Sequence, residues 1–445
     1  MIQNVISFDP SNGKILGEVA RATATTVEKV VGRAKEAAAH WRKVSLEDRL
    51  SYIEKAYSAA EPSLNRLAEL LSREMGKDIR RSTSEVQGCI WGGPYIANSS
   101  LEALRSKKTG EYTVEYGSLG VAAIISPWNY PLAMANNLII PALMAGNSVI
   151  WKPSEETPLI AQAFFDIIHK GFPQDVLQIV HGDGEQGRML VESDINMIGF
   201  TGSQAAGKDI MARASSSLKR LVMELGGNDP MIVMKDANIQ AAARFAVASS
   251  FENAGQMCIS TERIYVEESV AHEFEQYVVT TAKQYKVGPW NMEGVNIGPI
   301  INKKQHAQII EHIKDAVEKN SRILLGSLDN PKYYIMPTVL ADMTPDMRIE
   351  QEETFGPVVC ISSFSNIQEA IDRANNTSYG LGAVVFGGMD AREVADQLAA
   401  GMIGINQGVG GGDDVPWVGA KQSGFGFHGS PEGHRQFSQV RVVSH

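Results

Sequence analysis

Val121-Ala122-Ala123-Ile124-Ile125-Ser126-Pro127-Trp128-Asn129-Tyr130-Pro131 is a five-residue apolar run that ends at once in a proline-bounded turn. Further apolar runs stand at 148–151, 177–180 and 197–200, with helical patterns between them at 134–145, 159–169 and 185–192. Short apolar strands alternating with helices predict a parallel sheet covered by helices. After Gly227 the rhythm resumes, with a strand at 230–234, a helix at 239–253 and a strand at 263–266, and it continues to Ile405. The fold class is therefore α/β, as two α/β domains joined near Glu224 to Gly227.

The same stretch carries a membrane-like signal. From Tyr116 to Trp151 there is no Asp, Glu, Lys or Arg, and an apolar run of about 20 residues is what a membrane helix needs. Pro127, Pro131, Pro141, Gly120, Gly146 and four asparagines interrupt it, and a helix so punctuated does not survive in lipid without partners. Buried strand, loop and packed helix is the better reading, with no membrane partner.

Toward the N-terminus, Thr25 and Glu28 have capping-box spacing ahead of an amphipathic run at 27–41, which predicts a helix there. A second helical pattern covers 46–75, in two pieces broken near Pro62. Residues 112–116 alternate as a strand does, and 117–120 reads as a turn into the next strand. That hairpin, 112–125, and a C-terminal strand at 439–443 predict an oligomerisation arm that pairs edges in a homodimer or homotetramer.

Composition narrows the partners. With 41 Lys+Arg against 51 Asp+Glu, the net charge of −10 excludes a general nucleic-acid partner. Three scattered cysteines, Cys89, Cys258 and Cys360, are no disulfide framework. No basic and apolar leader opens the chain, so a reducing, cytoplasmic setting is expected. The nine histidines show no metal-ligand spacing, no metal is expected, and neither they nor Lys208 and Lys421 attract a special reading.

Two motifs carry the chemistry: Glu224-Leu225-Gly226-Gly227-Asn228 and Asn253-Ala254-Gly255-Gln256-Met257-Cys258. A thiol behind Gly-Gln can attack a carbonyl, and a carboxylate on a glycine turn can activate water to release the acyl group. A lone cysteine is more often a buried packing residue, which is the reading for Cys89 and Cys360. The bent Asn-Ala-Gly-Gln-Met lead-in sets Cys258 apart. Leu221-Val222-Met223 before Glu224 predicts a buried strand end, where burial would raise the carboxyl pKa toward a useful value.

Six motifs in order now carry a resemblance. They are Ser126-Pro127-Trp128-Asn129-Tyr130-Pro131, Lys152-Pro153-Ser154-Glu155, Phe200-Thr201-Gly202-Ser203, Glu224-Leu225-Gly226-Gly227, Gly255-Gln256-Met257-Cys258 and Glu353-Thr354-Phe355-Gly356-Pro357. From about Phe8 to the C-terminus the chain resembles the NAD(P)-dependent aldehyde dehydrogenase superfamily, of the branch that hydrolyses its acyl intermediate.

The resemblance implies two Rossmann-like parallel α/β domains and a small β oligomerisation arm. Residues 1–103 and 120–225 would bind NAD, 226–425 would form the catalytic domain, and 104–119 with 426–445 the arm. It implies oxidation of an aldehyde to its acid, with Cys258 as nucleophile, Asn129 as oxyanion donor and Glu224 as general base for thioester hydrolysis. Cofactor contacts would come from Ser126, Trp128, Lys152, Glu155, Gly202, Ser203, Leu225, Glu353 and Phe355. The turn at Gly202, with Gly207 beyond it, also reads as an anion site at a helix N-terminus. Glu155 would accept both ribose hydroxyls and repel a 2′-phosphate, so NAD is expected over NADP, which remains possible.

The substrate mouth would be lined by Tyr130, Met134, Phe251, Glu252, Met257, Ile259 and Trp417, with Asp413 and Asp414 nearby. An anionic semialdehyde would want an Arg there, yet none lies between Gln407 and Phe427, and Arg263 is expected to point into the fold. The acids and Trp417 form a set that would suit a cationic or polar aldehyde; facing water is the stronger reading of those acids. Ser260 stands where some semialdehyde-oxidising relatives carry a second cysteine. Three functions are weighed: an NAD-dependent aldehyde dehydrogenase, a succinate-semialdehyde dehydrogenase using NADP, and a catalytically retired binding protein.

Overall fold

The structure, a computed structural model, describes residues 4–410 and 414–445. Val121–Ile125 becomes the middle of a six-stranded sheet, flanked by Ser148–Lys152 and Met197–Thr201, with Leu177–Ile179 beyond one and Arg220–Glu224 beyond the other. All these neighbours run parallel, and only the short Gly424–Phe425 strand, on Arg220–Glu224, is antiparallel. Every residue of Val121–Ile125 is buried. Because side chains alternate across a strand, Ala122 and Ile124 enter one core while Val121, Ala123 and Ile125 enter the other. Helices cover both faces, as a parallel sheet with two apolar faces requires.

A seven-stranded sheet follows in sequence, from Asp229–Val233 to Met402–Ile405, parallel except for Arg322–Leu325. It divides its side chains likewise: Met231 and Val233 face one core, Ile232 the other. In the first sheet the chain order reverses at Val121–Ile125, the next two strands filling one side and the strands after them the other. Ligands of such sheets bind at the carboxyl ends of the strands where the order reverses. Here those ends lead into Ser126–Pro131 and Gly202–Ser203. Among the described residues no helix is long and apolar enough to cross a membrane.

Several expectations need correction. The 112–125 hairpin does not form: Tyr112–Ser118 pairs with Lys107–Thr109 and, in register from Ser118 to Tyr112, with Ser438–Ser444 of the same chain. Asn147 Oδ1 accepts from Leu119 N (2.7 Å) and Gly120 N (3.0 Å), and Asn196 Oδ1 accepts from Val121 N (2.9 Å), which turns the chain into the large sheet. Burying five apolar residues there outweighs a two-stranded ribbon. The first helix, Ala24–Trp41, is capped by Thr23, whose Oγ1 accepts from Thr26 N, and not by Thr25.

The break near Pro62 is present, between Leu46–Ser58 and Leu64–Met75. A 26-residue helix, Ile79–Leu104, was absent from the sequence reading because Gly88, Gly92, Gly93 and Pro94 mask it. Gly93 sits against the Tyr57 ring, where a Cβ would lie 2.5 Å away; close packing here overrides poor helix propensity.

Candidate active site

The helix expected over 239–253 ends at Phe251. Asn253, Ala254 and Gly255 then adopt left-handed backbone (φ 49°, 59° and 73°), which costs about 1–3 kcal/mol for each non-glycine residue unless its surroundings hold it. Asn253 Nδ2 donates to Gln256 O (3.2 Å) and Asn129 O (3.3 Å), and Gln256 bridges to Ile301 N and Asn253 O. A Cβ on Gly255 would lie 2.0 Å from Gly356 O, so only glycine fits. This clamped bend leaves Cys258 partly exposed, while Cys89 and Cys360 are buried. Burial, then the charges of Glu224, Glu353 and Asp229, pushes the Cys258 thiol well above its ordinary pKa.

Asn129 is buried, and its Nδ2 donates to Gln256 O at 3.1 Å, so its amide faces the loop that leads to Cys258. The amide carries two N–H groups, one of them beyond that bond. Behind it, Lys77 and Glu85 form a buried pair at 2.6 Å; Glu85 Oε1 accepts from Leu132 N and Ala133 N, and Lys77 lies 3.7 Å from the Tyr130 ring centroid. The oxyanion-loop candidate is thus held from beneath by an ion pair.

Glu224 ends its strand, buried to 5 % exposure. Its Gly226–Gly227 turn packs on both partners: a Cβ on Gly227 would meet Cys258 O at 2.3 Å, and one on Gly226 would meet Glu353 Oε2 at 2.2 Å. Ser423, unnoticed in the sequence, clips the turn by donating to Gly226 O (2.7 Å) and offering its carbonyl to Leu225 N. His428, set aside in the sequence, brings Nε2 to 2.5 Å from Glu224 Oε1. No local signal marks it, because only the antiparallel pairing of Gly424 with Glu224 brings that segment here.

A cavity of about 690 Å³ contains Cys258 together with Trp128, Asn129, Tyr130, Met134, Glu155, Gly202, Ser203, Leu225, Met257, Glu353, Phe355 and Trp417. Ser203 caps the Gln204–Ala214 helix, and Gly207 lets that helix close on Leu225. Trp128 and Phe355 stand edge to face at 5.5 Å. Phe355 has φ 54°, held by Glu262, which accepts from Thr354 N and Phe355 N. Gln305 and Gln308, also missed from sequence, line this cavity and donate to Thr354 O and Glu353 O. Lys152 is buried, with Nζ on Pro153 O and 3.7 Å from the exposed Glu155 carboxylate.

Other expected residues stand elsewhere. Ser126 is buried and its Oγ accepts from Trp151 Nε1, so its side chain serves the core. Phe251 is wholly buried against Tyr285 and does not line the mouth. Ile259 lines neither this cavity nor its neighbour. Glu252 faces that neighbouring cavity and is matched by both arms of Arg81, at 2.6 and 2.7 Å, so it offers no free charge to a cation. Arg81 was not anticipated, since it comes from the masked helix. Arg263 points into the fold, donating to Asn228 O and Ala374 O. Asp414 accepts from Ser99 Oγ, and Asp413 lies outside the described residues.

Comparison with known proteins agrees with this arrangement. The aldehyde dehydrogenase family model matches residues 3–443. A Sinorhizobium fredii protein named "Probable succinate-semialdehyde dehydrogenase", with NADP(+) in its name, is 35% identical over 98% of this chain and 91% of its own. A succinate semialdehyde dehydrogenase of Acinetobacter baylyi is 33% identical over 98% of this chain and 93% of its own. A structure of Pseudomonas syringae aldehyde dehydrogenase C, described as complexed with NAD+ and octanal, superposes with a TM-score of 0.96 at 30% identity, covering 100% of this chain and 94% of that one. A nucleophile candidate, a buried carboxylate and a dinucleotide-sized groove meeting at the sheet's reversal point are what that match requires, and the chain belongs to the aldehyde dehydrogenase family, enzymes that oxidise an aldehyde to its acid with NAD(P).

Proposed function

We propose that this enzyme oxidises an uncharged small or medium aldehyde with NAD, using Cys258, Asn129 and Glu224. The packing of the Glu224 turn against the Cys258 carbonyl carries this reading, since it ties capture and release to one point. Cys258 Sγ gives up its proton to solvent as it adds to the aldehyde carbon, and the oxygen that gains charge is met by Asn129 Nδ2 and the Cys258 backbone N–H; losing one such donor costs roughly 3 kcal/mol of barrier. The dinucleotide, when bound, accepts the hydride. Glu224 then takes a proton from water as it attacks the Cys258 thioester, and the free acid departs.

The groove fits a dinucleotide on its own terms. Thr201 Oγ1 is buried there without a hydrogen-bond partner among the described residues, and Gly202 leaves room beside the Phe200 ring, where a Cβ would lie at 2.5 Å. Lys152 and Glu155 would hold the adenosine ribose, Ser203 and its helix N-terminus the pyrophosphate, and Glu353 and Phe355 the nicotinamide end. A 2′-phosphate would meet Glu155 and, beside it, Glu156, whose carboxyl burial pushes up and which accepts from Asn302 Nδ2. NAD is therefore the preferred cofactor. Glu155→Ser is expected to raise the NADP-to-NAD ratio of kcat/KM roughly tenfold, the effect of about 1.4 kcal/mol; an unchanged ratio removes this argument.

Among the described lining residues of the Cys258 cavity, Lys304 is the only cation, and it follows Asn302 on the Glu156 side of the groove. Among the described residues of that lining, no cation beside Cys258 stands ready for an anionic aldehyde. A second reading, a succinate-semialdehyde dehydrogenase with NADP, rests on the names of the relatives. Steady-state rates over neutral and anionic aldehydes with both cofactors decide: preference for succinate semialdehyde would favour the second.

We also infer self-association through the small sheet, because Ser438–Ser444 is an edge strand with Val440 and Val442 exposed at 47 % and 61 %. A mass of two or four chains in light scattering is the expected result; a monomer overturns it.

A further inference from the structure

We propose that His428 is a second proton acceptor in the hydrolytic step, receiving at Nε2 the proton that Glu224 takes from water. The proposal rests on the reading of Glu224 as the general base and extends it to a residue that no motif singled out.

The observation is the contact itself. Glu224 Oε1 and His428 Nε2 lie 2.5 Å apart, each side chain only 6 % exposed. The approach is off the line of a hydrogen bond, so neither atom has a hydrogen-bond partner among the described residues, and His434 Nδ1 and Trp417 Nε1 also stand buried without one. Other histidines of this chain engage a ring nitrogen with structural groups: His169 with Phe165 O, His181 with Gln162 Oε1, His312 with Thr354 Oγ1. His428 instead brings a ring nitrogen beside the candidate base. Its position is fixed from its backbone, not its ring. Trp417 N donates to His428 O at 2.9 Å, a left-handed glycine stands close on each side (Gly426, φ 75°; Gly429, φ 87°), and a Cβ on Gly433 would lie 2.7 Å from the His428 carbonyl carbon. The Trp417 ring stacks over the imidazole at 6.5 Å.

The step balances without any further reagent. A water O–H bond breaks as its oxygen bonds to the thioester carbon, and the proton goes to Glu224 Oε1. It then crosses to His428 Nε2, leaving a carboxylate beside an imidazolium. When the tetrahedral adduct collapses, the C–S bond breaks, and the proton returns through Glu224 to the departing thiolate. Glu224 meets the imidazole from its strand, and His434, on the Pro431–Arg435 helix, lies near it with Asp414 near His434 in turn. Burial and the nearness of His428 hold His434 down to about 4, so it stays neutral in the working range and does not compete for the proton.

The test needs no dinucleotide. An activated ester such as 4-nitrophenyl acetate acylates a thiol nucleophile directly, so a nitrophenolate burst reads acylation and the following steady state reads hydrolysis. His428→Gln keeps the shape and a hydrogen bond but cannot carry the proton. It is expected to give a full burst and a steady state slowed roughly 100-fold, the lower end for proton transfer by a placed side chain. The pH profile of hydrolysis should differ between the unaltered enzyme and His428→Gln, because an amide cannot take up a proton. Imidazole in the buffer should restore part of the rate of His428→Ala. A His428→Gln enzyme with an unaltered burst, steady state and pH profile overturns the proposal, as does a burst-competent His428→Ala that imidazole does not rescue. Loss of the burst in both variants assigns His428 to the fold and overturns it too. If Glu224→Gln hydrolyses at the normal rate, the base reading itself fails; if that variant is slow and His428→Gln is not, only the relay fails.

Discussion

Cys258→Ala is expected to abolish NADH production, by a factor on the order of 10⁶ as when a covalent nucleophile is deleted, while NAD binding stays intact. The reasoning is geometric. The thiol sits at the end of a backbone bend whose hydrogen bonds run through Asn253, Gln256 and Ile301. Removing one partly exposed atom leaves the bend, the groove and the Ser203-capped helix in place. Calorimetric titration with NAD separates the two effects. Residual oxidation above about one part in a thousand would assign the chemistry to another group, and lost NAD binding would show that the cysteine supports the groove.

Glu224→Gln should divide the reaction at the thioester. The amide matches the carboxylate in shape, so the Gly226–Gly227 turn and its packing on Cys258 and Glu353 persist, but an amide cannot take a proton from water. Hydrolysis should slow by roughly 10²–10⁴. Rapid mixing with NAD and aldehyde should then show one NADH per site in a burst, followed by slow turnover, and mass spectrometry should find the acyl group on Cys258. Because the thiol is pushed well above its ordinary pKa at rest, a diminished burst would mean that Glu224 also removes the thiol proton. Undiminished turnover would place the base elsewhere.

The parallel strands were legible in the sequence because each is a short, wholly apolar run whose pattern is local. The 112–125 hairpin was a misreading: the turn after Ser118 resembles a hairpin turn, and only the burial available to Val121–Ile125 in the large sheet sends the chain away. The Ile79–Leu104 helix was hidden because propensity disfavours Gly92-Gly93-Pro94, while contact with Tyr57 rewards small residues there. With that helix went Arg81, and so the neutralisation of Glu252.

For the site the same boundary holds. Residue type singled out Cys258 and Glu224 as candidates, since covalent acyl chemistry needs a thiol and a base, and the motif order that carries the family resemblance added Asn129 and the candidate cofactor residues. What the tertiary structure decided were the meetings: Glu353 beneath Gly227 across 126 residues, Arg81 on Glu252 across 171, and His428 on Glu224. Such pairings depend on strand order and register, which follow from how whole layers bury their apolar faces and leave no trace in the local residue pattern.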